Sequence, residues 1–437
     1  MTEHIAKSIV HRLRGAGFTA LYAGGCVRDT LLGKAPKDYD VATDARPEQV
    51  QAIFRNTYAV GAHFGVVVVH EGGENFEVAT FRTDGVYVDG RRPEGVVFSS
   101  PQLDAERRDF TINGLFFDPF SGEVIDYVNG QRDLAAKVLR AIGEPAARFR
   151  EDKLRLLRAV RFGAGLGFEM EPATWAAVQE HAADIRDVSA ERIREELVRI
   201  FTSPTRVRGF DLLVESGLMA QVLPEIMALR GCEQPPQFHP EGDVFIHTRA
   251  MLGLLAENAS ATLVFSVLFH DIGKPPTFAV DETGRIRFNG HDKLGAEMTQ
   301  RIMERLKFSN ADAEAIISGV ANHMVFKDVK TMRVAKLKRF MARPGFTDEL
   351  ELHRVDCTSA SGMLDNYDFI RERQLAFASE PLIPPPLLTG NDLIAFGLKP
   401  GPHFKEILEA AATLQLEGTL ATREAALAWA RDQQFRK

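Results

Sequence analysis

The run GGCVRDTLLGKAPKDYDVAT, residues 24–43, indicates how the N-terminal part of this chain is built. The apolar residues before it predict a strand, the two glycines predict a turn, and residues 27–32 predict the start of a helix. Backbone N–H groups at such a strand-to-helix turn favour phosphate. Asp38 and Asp40 follow on a second predicted strand, where side chains two residues apart share a face. This carboxylate pair predicts a cation, and Mg²⁺ held by carboxylates and substrate phosphates is the common solution.

Composition limits the class of protein. With 437 residues, 45% of them hydrophobic, the chain is long enough for two to four domains. We expect no membrane partner, because no run approaches the roughly 20 apolar residues of a membrane helix. We expect no secretory signal, because the first residues are not followed by an apolar core of about 7–15 residues. Three widely spaced cysteines argue against a disulfide framework or a cysteine zinc site. A cytoplasmic protein is therefore expected.

Charge is distributed unevenly along the chain. The formal net charge is −7, yet residues 140–161 contain seven basic and three acidic side chains. A basic segment on an acidic protein can steer a polyanion to one face. The same residues can equally form a solvated helix with ion pairs three or four positions apart. Charge alone leaves both interpretations open.

The pattern of apolar residues changes along the chain. Residues 18–128 alternate short strand-like runs with turns and helices, which predicts an α+β head with a small mixed sheet. From about residue 130 the pattern is helical, including one helix predicted over 148–161, and a proline-rich connector follows at 379–386. We predict four domains: a head at 1–138, an all-α neck at 139–225, a histidine-rich helical domain at 226–375 and a helical tail at 376–437.

A third carboxylate is expected near the aspartate pair, because two-metal phosphoryl transfer commonly uses three. Glu77 is the candidate, since strand alternation puts it on one face with Ala79 and Phe81. Read alone, Glu77 is more often a solvent-facing strand residue, so the strand pattern leaves its role open.

Several strings resemble motifs of class II tRNA nucleotidyltransferases and bacterial poly(A) polymerases, members of the polymerase-β superfamily. Residues 24–43 resemble the family signature, and Glu77 stands where the family has a glutamate. The resemblance therefore implies a catalytic group of Asp38, Asp40 and Glu77. RRDFTINGL at 107–115 resembles the element that contacts triphosphate and ribose, and EDKLR at 151–155 the element that reads the base. The resemblance implies these nucleotide-binding residues: Gly24, Gly25, Arg28, Arg108, Asp109, Asn113, Asp152, Arg155, Arg158 and Arg161.

Base selection is implied for Glu151, Asp152 and Arg155. On one helix, these residues are neighbours at spacings of three and four. Asp152 can accept from an exocyclic amino group while Arg155 donates to a ring acceptor, and cytosine and adenine offer both groups. An array of ion pairs along the helix is the alternative on physical grounds.

Residues 83–93 resemble the flexible loop that, in the family, helps switch the pocket from CTP to ATP. Its charged members are Asp84, Asp89, Arg91 and Arg92. The loop favours full CCA addition or terminal A addition over addition of CC alone. The basic element typical of poly(A) polymerases is not found in the sequence.

A second candidate site lies in the histidine-rich segment. His247, then His270 with Asp271, then Asp356 resemble the H…HD…D pattern of HD phosphohydrolases. Imidazole and carboxylate ligands suit Mn²⁺, Ni²⁺, Fe²⁺ or Zn²⁺, and a bound ion can activate water for attack on a phosphodiester. A second metal or a substrate phosphate is expected to involve Lys274, His291 and His323.

The resemblance implies template-independent addition of CCA to tRNA from CTP and ATP, with Mg²⁺ at the transferase site. The four domains are then a nucleotidyltransferase head, a neck that binds nucleobase and RNA, an HD phosphohydrolase-like domain and a tail. One alternative is an A-adding enzyme or a poly(A) polymerase. Another is an RNA-repair HD phosphodiesterase whose head serves as a tRNA-binding module.

Overall fold

The computed structural model describes residues 2–58, 65–84, 96–235 and 242–434. The chain divides into two compact units, Met1–Met227 and Ala228–Lys437. Among the described residues, every helix is too short or too polar to cross a membrane.

A mixed sheet organises the first unit. The strands of this unit are β1 (Ala20–Ala23), β2 (Asp40–Thr43), β3 (Thr57–Tyr58), β4 (Val66–Glu71), β5 (Glu74–Thr80), β6 (Arg82–Asp84), β7 (Val96–Phe98), β8 (Leu115–Phe117), β9 (Val124–Asp126), β10 (Val138–Leu139) and β11 (Glu169–Met170). The main sheet has the order β3-β4-β5-β2-β1-β8-β9. Within it β2 and β5 run parallel, and the other neighbours are antiparallel.

Helices accompany the sheet in the N-terminal part of the first unit, and the rest of the unit is mainly helical. The helices of the first unit are α1 (Thr2–Gly15), α2 (Gly25–Leu31), α3 (Pro47–Ile53), α4 (Pro101–Glu106), α5 (Gly130–Ala136), α6 (Pro145–Glu151), α7 (Arg155–Leu166), α8 (Pro172–Glu180), α9 (Ala190–Phe201), α10 (Arg206–Glu215), α11 (Leu218–Val222) and α12 (Pro224–Met227), with 3₁₀ turns at Thr111–Asn113 and Ala182–Asp187. The predicted mixed head followed by a helical region is confirmed.

Side-chain alternation gives the sheet two different faces. Ile9 of α1 and Val50 of α3 pack with Val41 and Val78 on one face. Ala42, the neighbour of Val41 in β2, belongs to a smaller apolar cluster on the opposite face. The larger core therefore lies on the α1 and α3 side, and the other face is only partly covered by apolar side chains.

The second strand begins later than predicted. Asp40 is the first residue of β2 because its partner Ala23 is the last residue of β1, after which the chain turns at Gly24 with a φ of 72°. Asp38 lacks a strand partner at that position and is an exposed residue ahead of the strand. The prediction that Asp38 and Asp40 share one strand is therefore wrong.

The single helix predicted over residues 148–161 is also wrong. Asp152 separates α6 from α7 and has an extended conformation, with φ −137° and ψ 101°. Its Oδ1 accepts a hydrogen bond from the Leu154 N–H at 3.1 Å. Such local side-chain bonds to the backbone compete with the helical hydrogen bonds, which explains the break.

In the residues of the second unit that the structure describes, helices are accompanied by one short antiparallel pair, β12 (Ala279–Val280) and β13 (Ile286–Arg287). Its helices are α13 (Val244–Leu254), α14 (Ala261–Phe269), α15 (Lys274–Thr277), α16 (His291–Arg305), α17 (Asn310–Asn322), α18 (Val334–Met341), α19 (Phe346–Ser359), α20 (Asp365–Ala376), α21 (Gly390–Ala395), α22 (Pro402–Leu416) and α23 (Arg423–Gln434), with a 3₁₀ segment at His323–Thr331. Residues 379–386 contain neither helix nor strand, in agreement with the predicted connector.

Candidate active sites

Asp40 and Glu77 lie side by side on one face of the main sheet. The parallel strands β2 and β5 place Val41 opposite Val78, so Asp40 and Glu77 occupy the preceding position of the same register. Alternation turns both carboxylates away from the core side of the sheet. Asp38 lies in the loop just before β2. The structure thus puts two of the three predicted catalytic carboxylates on neighbouring strands.

The electrostatics around Asp40 suit a cation. Burial, followed by the negative charges of Glu77 and Asp38, raises the pKa of Asp40 to about 6, although the Arg108 guanidinium acts in the opposite direction. Crowded carboxylates disfavour one another's charged forms, and a divalent cation between them removes that repulsion. Asp40 and Glu77 therefore offer the oxygen ligands that a hard ion such as Mg²⁺ prefers, whereas Asp38 is exposed and does not line the same cavity.

The glycine turn brings the backbone close to an arginine. Gly24 has a φ of 72°, which residues with a side chain rarely adopt. Its N–H donates to the carbonyl oxygen of Leu115 at 3.1 Å. A Cβ atom at this position would lie 2.8 Å from Nη1 of Arg108. Gly24 is therefore required for Arg108 to lie this close to the turn.

A buried aspartate fixes the two arginines of the RRDFTIN segment. Asp104 accepts from Nη2 of Arg107 at 2.7 Å and from Nη2 of Arg108 at 2.9 Å. Burial alone raises the pKa of Asp104, but the charges of Arg108 and Arg107 lower it overall. Arg108 also donates to the backbone carbonyl of Asn113 at 3.2 Å. Both arginines are thus held in defined positions at the edge of the site.

Asp109 connects the head segment to α7. Its Oδ1 accepts from Nδ2 of Asn113 at 3.0 Å, and its Oδ2 accepts from Nε of Arg158 at 2.7 Å. Oδ1 of Asn113 in turn accepts from Nη1 of Arg28 at 2.7 Å. Although burial raises it, the charge of Arg158 and these hydrogen bonds lower the pKa of Asp109 to about 2. Asp109 is charged and orients both Asn113 and Arg158.

The predicted base-selecting residues come together, and each is held by a further partner. Nη1 of Arg155 donates to Oε2 of Glu151 at 2.8 Å, and its Nη2 donates to the carbonyl oxygen of Arg107 at 2.9 Å. Oδ2 of Asp152 accepts from Nη2 of Arg192 at 2.8 Å. The ion pair between Glu151 and Arg155 predicted for a helix is therefore present, and it forms across the break between α6 and α7.

These groups surround one cavity of about 480 Å³ in the first unit, which we call the nucleotide cavity. Asp40 and Glu77 line it on the sheet side, and Asp152 and Arg155 line it on the helical side. The arginines that line it are all ion-paired: Arg28 with Asp29, Arg107 and Arg108 with Asp104, Arg155 with Glu151, Arg158 with Asp109, Arg161 with Glu196, and Arg192 with Asp152. These seven arginines pair with six carboxylates, because Asp104 serves two of them, and Asp40 and Glu77 supply two further carboxylates. The cavity therefore presents oriented donors without a surplus of positive charge.

Sequence reasoning missed part of this arrangement. Arg192 and the buried Glu196 lie on α9, and Nε of Arg161 donates to Oε2 of Glu196 at 2.6 Å. Their i, i+4 spacing on a predicted helix was the available signal. That signal does not say which residues of α7 the helix face meets. Asp104 was also missed, although its spacing of three and four residues from Arg107 and Arg108 was a local signal for these ion pairs.

Phe162 was also missed, although it supports three of the predicted arginines. The guanidinium carbons of Arg161, Arg158 and Arg28 lie 4.2, 5.2 and 5.3 Å from the centre of its ring. Cation–π contacts of this kind hold guanidinium groups against an aromatic face. Phe162 therefore positions these arginines without bringing a negative charge.

The predicted flexible loop is mostly beyond the described part of the chain. Asp89, Arg91 and Arg92 lie outside the described residues. Asp84 is the last residue of β6, which pairs with β7.

The predicted metal ligands of the second unit converge from three helical regions. His247 on α13, His270 after α14 and the adjacent Asp271 present ligand atoms within 4.8 Å of one another. Nε2 of His247 lies 3.0 Å from Oδ1 of Asp356 on α19. The structure thus brings together the four residues of the H…HD…D pattern.

A second group of donors shares Asp271. Oδ1 of Asp271 lies 3.5 Å from Nε2 of His291 and 3.8 Å from Nε2 of His323. The two imidazole Nε2 atoms are 3.1 Å apart. The residues expected as accessory therefore form a buried group that could hold a metal ion.

Three of the histidines are oriented by the same local contact. The Nδ1 atoms of His270, His291 and His323 lie 2.8, 2.7 and 2.6 Å from the backbone carbonyl oxygen three residues earlier. Because a carbonyl only accepts, Nδ1 carries the hydrogen and Nε2 keeps its lone pair. Contacts of this kind orient metal-binding histidines. The three Nε2 atoms are available as ligand atoms toward Asp271.

The charge state of the cluster also suits a metal. Burial lowers the pKa of His323 to about 4 and also lowers that of His291, so both are neutral near pH 7. Although burial raises it, the adjacent His270 imidazole and the charge of Lys274 bring the pKa of Asp271 well below its usual range. Nζ of Lys274 lies 2.7 Å from Asp271 and donates to Gln234 at 2.7 Å. Neutral imidazoles beside a carboxylate fit a transition-metal ion.

Three family models match successive parts of the chain. The "Poly A polymerase head domain" matches residues 20–140, the "Probable RNA and SrmB- binding site of polymerase A" matches 167–229, and the "HD domain" matches 244–356. The first match contains the carboxylate site, and the third contains the histidine cluster.

Two curated relatives match most of the chain, and a third matches about half of it. An A-adding tRNA nucleotidyltransferase of Deinococcus radiodurans is 36% identical over 431 residues, covering 94% of each chain. A CCA-adding enzyme of Streptococcus mutans is 30% identical over 423 residues, covering 97% of this chain and 95% of the relative. A CCA-adding enzyme of Geobacillus stearothermophilus is 44% identical over 216 residues, which span 49% of this chain and 53% of the relative.

A solved structure agrees with these relatives. The Bacillus stearothermophilus CCA-adding enzyme in complex with CTP has a TM-score of 0.76 and 27% identity, and the match covers 99% of this chain and 97% of that one. Fold, sites and matches together define an enzyme of the nucleotidyltransferase class with an RNA-binding segment and an HD domain. The chain belongs to the tRNA nucleotidyltransferase and poly(A) polymerase family, as the sequence motifs predict.

Proposed function

We propose that this protein adds CCA to the 3′ ends of tRNA without a template, using CTP and ATP. The observation that carries the proposal is the nucleotide cavity, which has Asp40 and Glu77 on one side and Asp152 and Arg155 on the other. One nucleotide can place its phosphates at the carboxylate side and its base at the helical side. Relatives named CCA-adding enzymes support the proposal, as does the similar enzyme solved with CTP.

The chemistry at the carboxylate side is phosphoryl transfer. Mg²⁺ held by Asp38, Asp40 and Glu77 would neutralise phosphate charge and favour ionisation of the tRNA 3′ hydroxyl. The 3′ oxygen bonds to the α-phosphorus while the bond between the α-phosphorus and its bridging oxygen breaks, and pyrophosphate leaves. The carboxylates act by holding the reacting groups in line, which is the main requirement of this reaction.

The middle of the cavity positions the nucleotide. Arg28 and Arg108 donate to phosphate oxygens, together with the backbone at Gly24 and Gly25. Asn113 contacts the ribose, and it is kept in place by the contacts it makes in the structure with Asp109 and Arg28. Preorganised donors of this kind need no rearrangement when charge develops on the phosphates.

The helical side selects the base. Asp152 accepts a hydrogen bond from the amino group of cytosine or adenine, and Arg155 donates to the adjacent ring acceptor. Their partners Arg192 and Glu151 hold both groups at fixed angles. Uracil and guanine offer a carbonyl where the amino group is needed, which leaves the Asp152 carboxylate facing an acceptor. Two acceptors that face each other repel and leave a lost hydrogen bond uncompensated, so both bases are rejected.

Addition of only the terminal A is a second candidate. The A-adding relative of Deinococcus radiodurans is 36% identical across 94% of both chains, whereas the Streptococcus mutans CCA-adding enzyme is 30% identical across a similar length. The hydrogen-bond pattern of Asp152 and Arg155 suits both cytosine and adenine, so it does not separate the candidates.

The test uses one transcript of a tRNA that lacks CCA and a matched transcript that already ends in CC. Each is incubated with purified protein, Mg²⁺ and one labelled nucleotide at a time. CCA addition predicts two cytidines on the first transcript and one adenosine on the second. Adenosine on the second transcript with no cytidine on the first would establish the A-adding candidate. Long adenosine tracts on unrelated RNA would indicate a poly(A) polymerase.

The histidine cluster supports a separate hydrolytic activity on phosphomonoesters or 2′,3′-cyclic phosphodiesters. A transition-metal ion there (Mn²⁺, Ni²⁺, Fe²⁺ or Zn²⁺) would activate a water molecule for attack on phosphorus. The residues that would hold one ion are His247, His270, Asp271 and Asp356, and a second ion would use Asp271, His291 and His323. The positive charge of Lys274 beside Asp271 keeps that carboxylate ionised.

Hydrolysis of 2′,3′-cyclic AMP by the wild type and by Asp271→Ala tests this second activity, with Mn²⁺ supplied. Loss of hydrolysis with unchanged CTP incorporation supports two independent sites. Equal hydrolysis by both proteins removes the cluster from catalysis. Hydrolysis without any nucleotide addition would establish the RNA-repair alternative, in which the head only binds tRNA.

We infer four functional domains with the boundaries predicted from the sequence. They are the transferase head at 1–138, the neck at 139–225, the HD domain at 226–375 and the tail at 376–437. We also assign the protein to the cytoplasm, where tRNA, CTP and ATP are found and where thiols stay reduced. The cysteines of the structure, Cys26, Cys232 and Cys357, are all free.

A further inference from the structure

A second cavity, of about 490 Å³, adjoins the nucleotide cavity in the first unit. The two cavities share Arg28, Arg161 and Phe162 as lining residues. The second is completed by Lys34 and Lys37 from the loop after α2, and by the C-terminal ends of α7 and α9. We call it the lysine cavity. The shared arginines make it a continuation of the site where the nucleotide phosphates are expected.

The lysine cavity has an excess of positive charge that the nucleotide cavity lacks. Its cationic lining residues are Arg28, Lys34, Lys37, Arg161 and Arg199. Two carboxylates oppose them: Asp29 lies 2.7 Å from Arg28, and Glu196 lies 2.6 Å from Arg161 and 3.9 Å from Arg199. Across the ranges that the structure describes, neither lysine takes part in an ion pair. Five cations face two carboxylates here, whereas the seven arginines of the nucleotide cavity face eight carboxylates, six of them ion-pair partners and two of them Asp40 and Glu77.

Nucleotidyl transfer produces an anion that has to leave. The tRNA 3′ oxygen forms a bond to the α-phosphorus, the bond to the bridging oxygen breaks, and its electron pair goes to pyrophosphate, while the hydroxyl proton passes to solvent. In-line displacement places the attacking and leaving oxygens on opposite sides of the α-phosphorus. The tRNA end therefore does not occupy the side on which pyrophosphate departs.

We propose that the lysine cavity is the exit site for pyrophosphate, an inference that rests on the proposed nucleotidyl transfer. Pyrophosphate beside Arg28 and Arg161 moves from arginines whose charges are balanced toward lysines whose charges are not. A surplus of positive charge raises the local concentration of an anion. Lys34 and Arg199 contribute to this surplus from opposite sides, one from the head loop and one from α9.

The test reverses these two charges in the full-length protein. Lys34 is exposed, and the side chain of Arg199 is 58% exposed, so Lys34→Glu/Arg199→Glu should fold normally. The matched control is Arg55→Glu/Arg132→Glu, which makes the same charge change at exposed residues of the first unit that line neither cavity. Inhibition of CTP incorporation by inorganic pyrophosphate is measured at saturating Mg²⁺, together with the KM values for CTP and tRNA.

We expect the inhibition constant of pyrophosphate to rise by at least about tenfold in the cavity variant, since the change reverses two charges near the anion. The KM values for CTP and tRNA should change less than about threefold, and the control should match the wild type. A raised KM for tRNA with unchanged pyrophosphate inhibition would assign the cavity to tRNA phosphates and overturn the proposal. The proposal would also be overturned if the cavity variant had the inhibition constant and KM values of the wild type. An equal rise in the pyrophosphate inhibition constant and in the KM for tRNA would overturn it as well.

A direct titration separates this proposal from the proposed function. If the wild type adds no nucleotide to any tRNA, nucleotidyl transfer itself is wrong. Calorimetric titration with inorganic pyrophosphate still measures anion binding to the lysine cavity in that case. Binding that the cavity variant loses and the control keeps would establish an anion site, and equal binding by all three proteins would eliminate it.

Discussion

Replacing Asp40 by asparagine should abolish nucleotide addition and, in metal-free buffer, should make the first unit more stable. The pKa of Asp40 is raised from its ordinary value of 3.8 to about 6 by burial and by the charges of Glu77 and Asp38. One pH unit corresponds to about 1.4 kcal/mol, so the ionised carboxylate costs about 3 kcal/mol of folding free energy. An amide of the same shape removes that cost and, with it, a ligand of the expected Mg²⁺.

The free-energy cost of the ionised Asp40 carboxylate depends on pH. Because the pKa of Asp40 is higher in the folded state than in the unfolded state, this cost is complete above pH 6 and disappears as the pH falls to about 4. The stability advantage of Asp40→Asn should therefore be about 2–3 kcal/mol at pH 8 and clearly smaller at pH 5. Mg²⁺ at pH 8 should stabilise the wild type and leave the variant unchanged, since a ligand that binds only the native state stabilises it.

The sequence provides a specific probe for this measurement. The chain has two tryptophans, and Trp175 lies on α8 of the first unit while Trp429 lies on α23 of the second. In a Trp429→Phe background, Trp175 fluorescence during urea unfolding reports on the first unit. Glu123→Gln is the control, because it makes the same change at an exposed carboxylate.

Two outcomes would refute the reasoning. If Asp40→Asn is no more stable than the wild type at pH 8 in EDTA, the carboxylates of the site do not repel one another as described. If the advantage is as large at pH 5 as at pH 8, it does not arise from the ionisation of Asp40. Nucleotide addition that survives the substitution would separately remove Asp40 from the catalytic group.

Further predictions concern the turn, the buried network and the histidine cluster. Gly24→Ala should lower kcat/KM for CTP by at least about 100-fold, because a Cβ would lie 2.8 Å from a guanidinium nitrogen at a φ of 72°. Gly33→Ala is the kinetic control, since it has a φ of 70° with open space around it. Asp109→Asn should destabilise the first unit by about 2–3 kcal/mol in urea at pH 7, because the pKa of Asp109 is lowered from 3.8 to about 2. That loss should persist at pH 5 and disappear only as the pH falls from about 4 towards 2. His323→Gln should reduce Mn²⁺-dependent hydrolysis of 2′,3′-cyclic AMP by at least about 100-fold and the bound metal by one ion per chain, with CTP incorporation unchanged.

The features that sequence reasoning predicts well are local in the chain. Glu77 falls on the expected face because strand alternation is fixed by the pleat, and its place beside Asp40 follows from two short strands pairing. The break at Asp152 was not predicted, because a single side-chain contact with the backbone decides it. The contact between Asp152 and Arg192 joins residues 40 positions apart. It depends on how α9 packs on α7, which no motif encodes.

In the histidine cluster, too, the sequence pattern predicts some of the residues, and the packing of helices determines the others. His247, His270 and Asp271 were found from a pattern of residue types in order. His291 and His323 were predicted only as accessory residues because the H…HD…D pattern does not include them. Their membership of the buried group follows from the packing of α16 and α17, which brings the two Nε2 atoms to 3.1 Å.

The ring orientations of His270, His291 and His323 have a consequence for how the second unit acquires metal. Each ring is fixed by a carbonyl of its own helical turn, so the ligand geometry exists before any ion arrives. Metal uptake then requires no folding step, and exhaustive chelation should leave the helical circular dichroism unchanged. An ion removed in this way can be replaced by another under native conditions. The ion that the site holds would then depend on which metals are available at that moment, and not on which ion was present when the polypeptide folded.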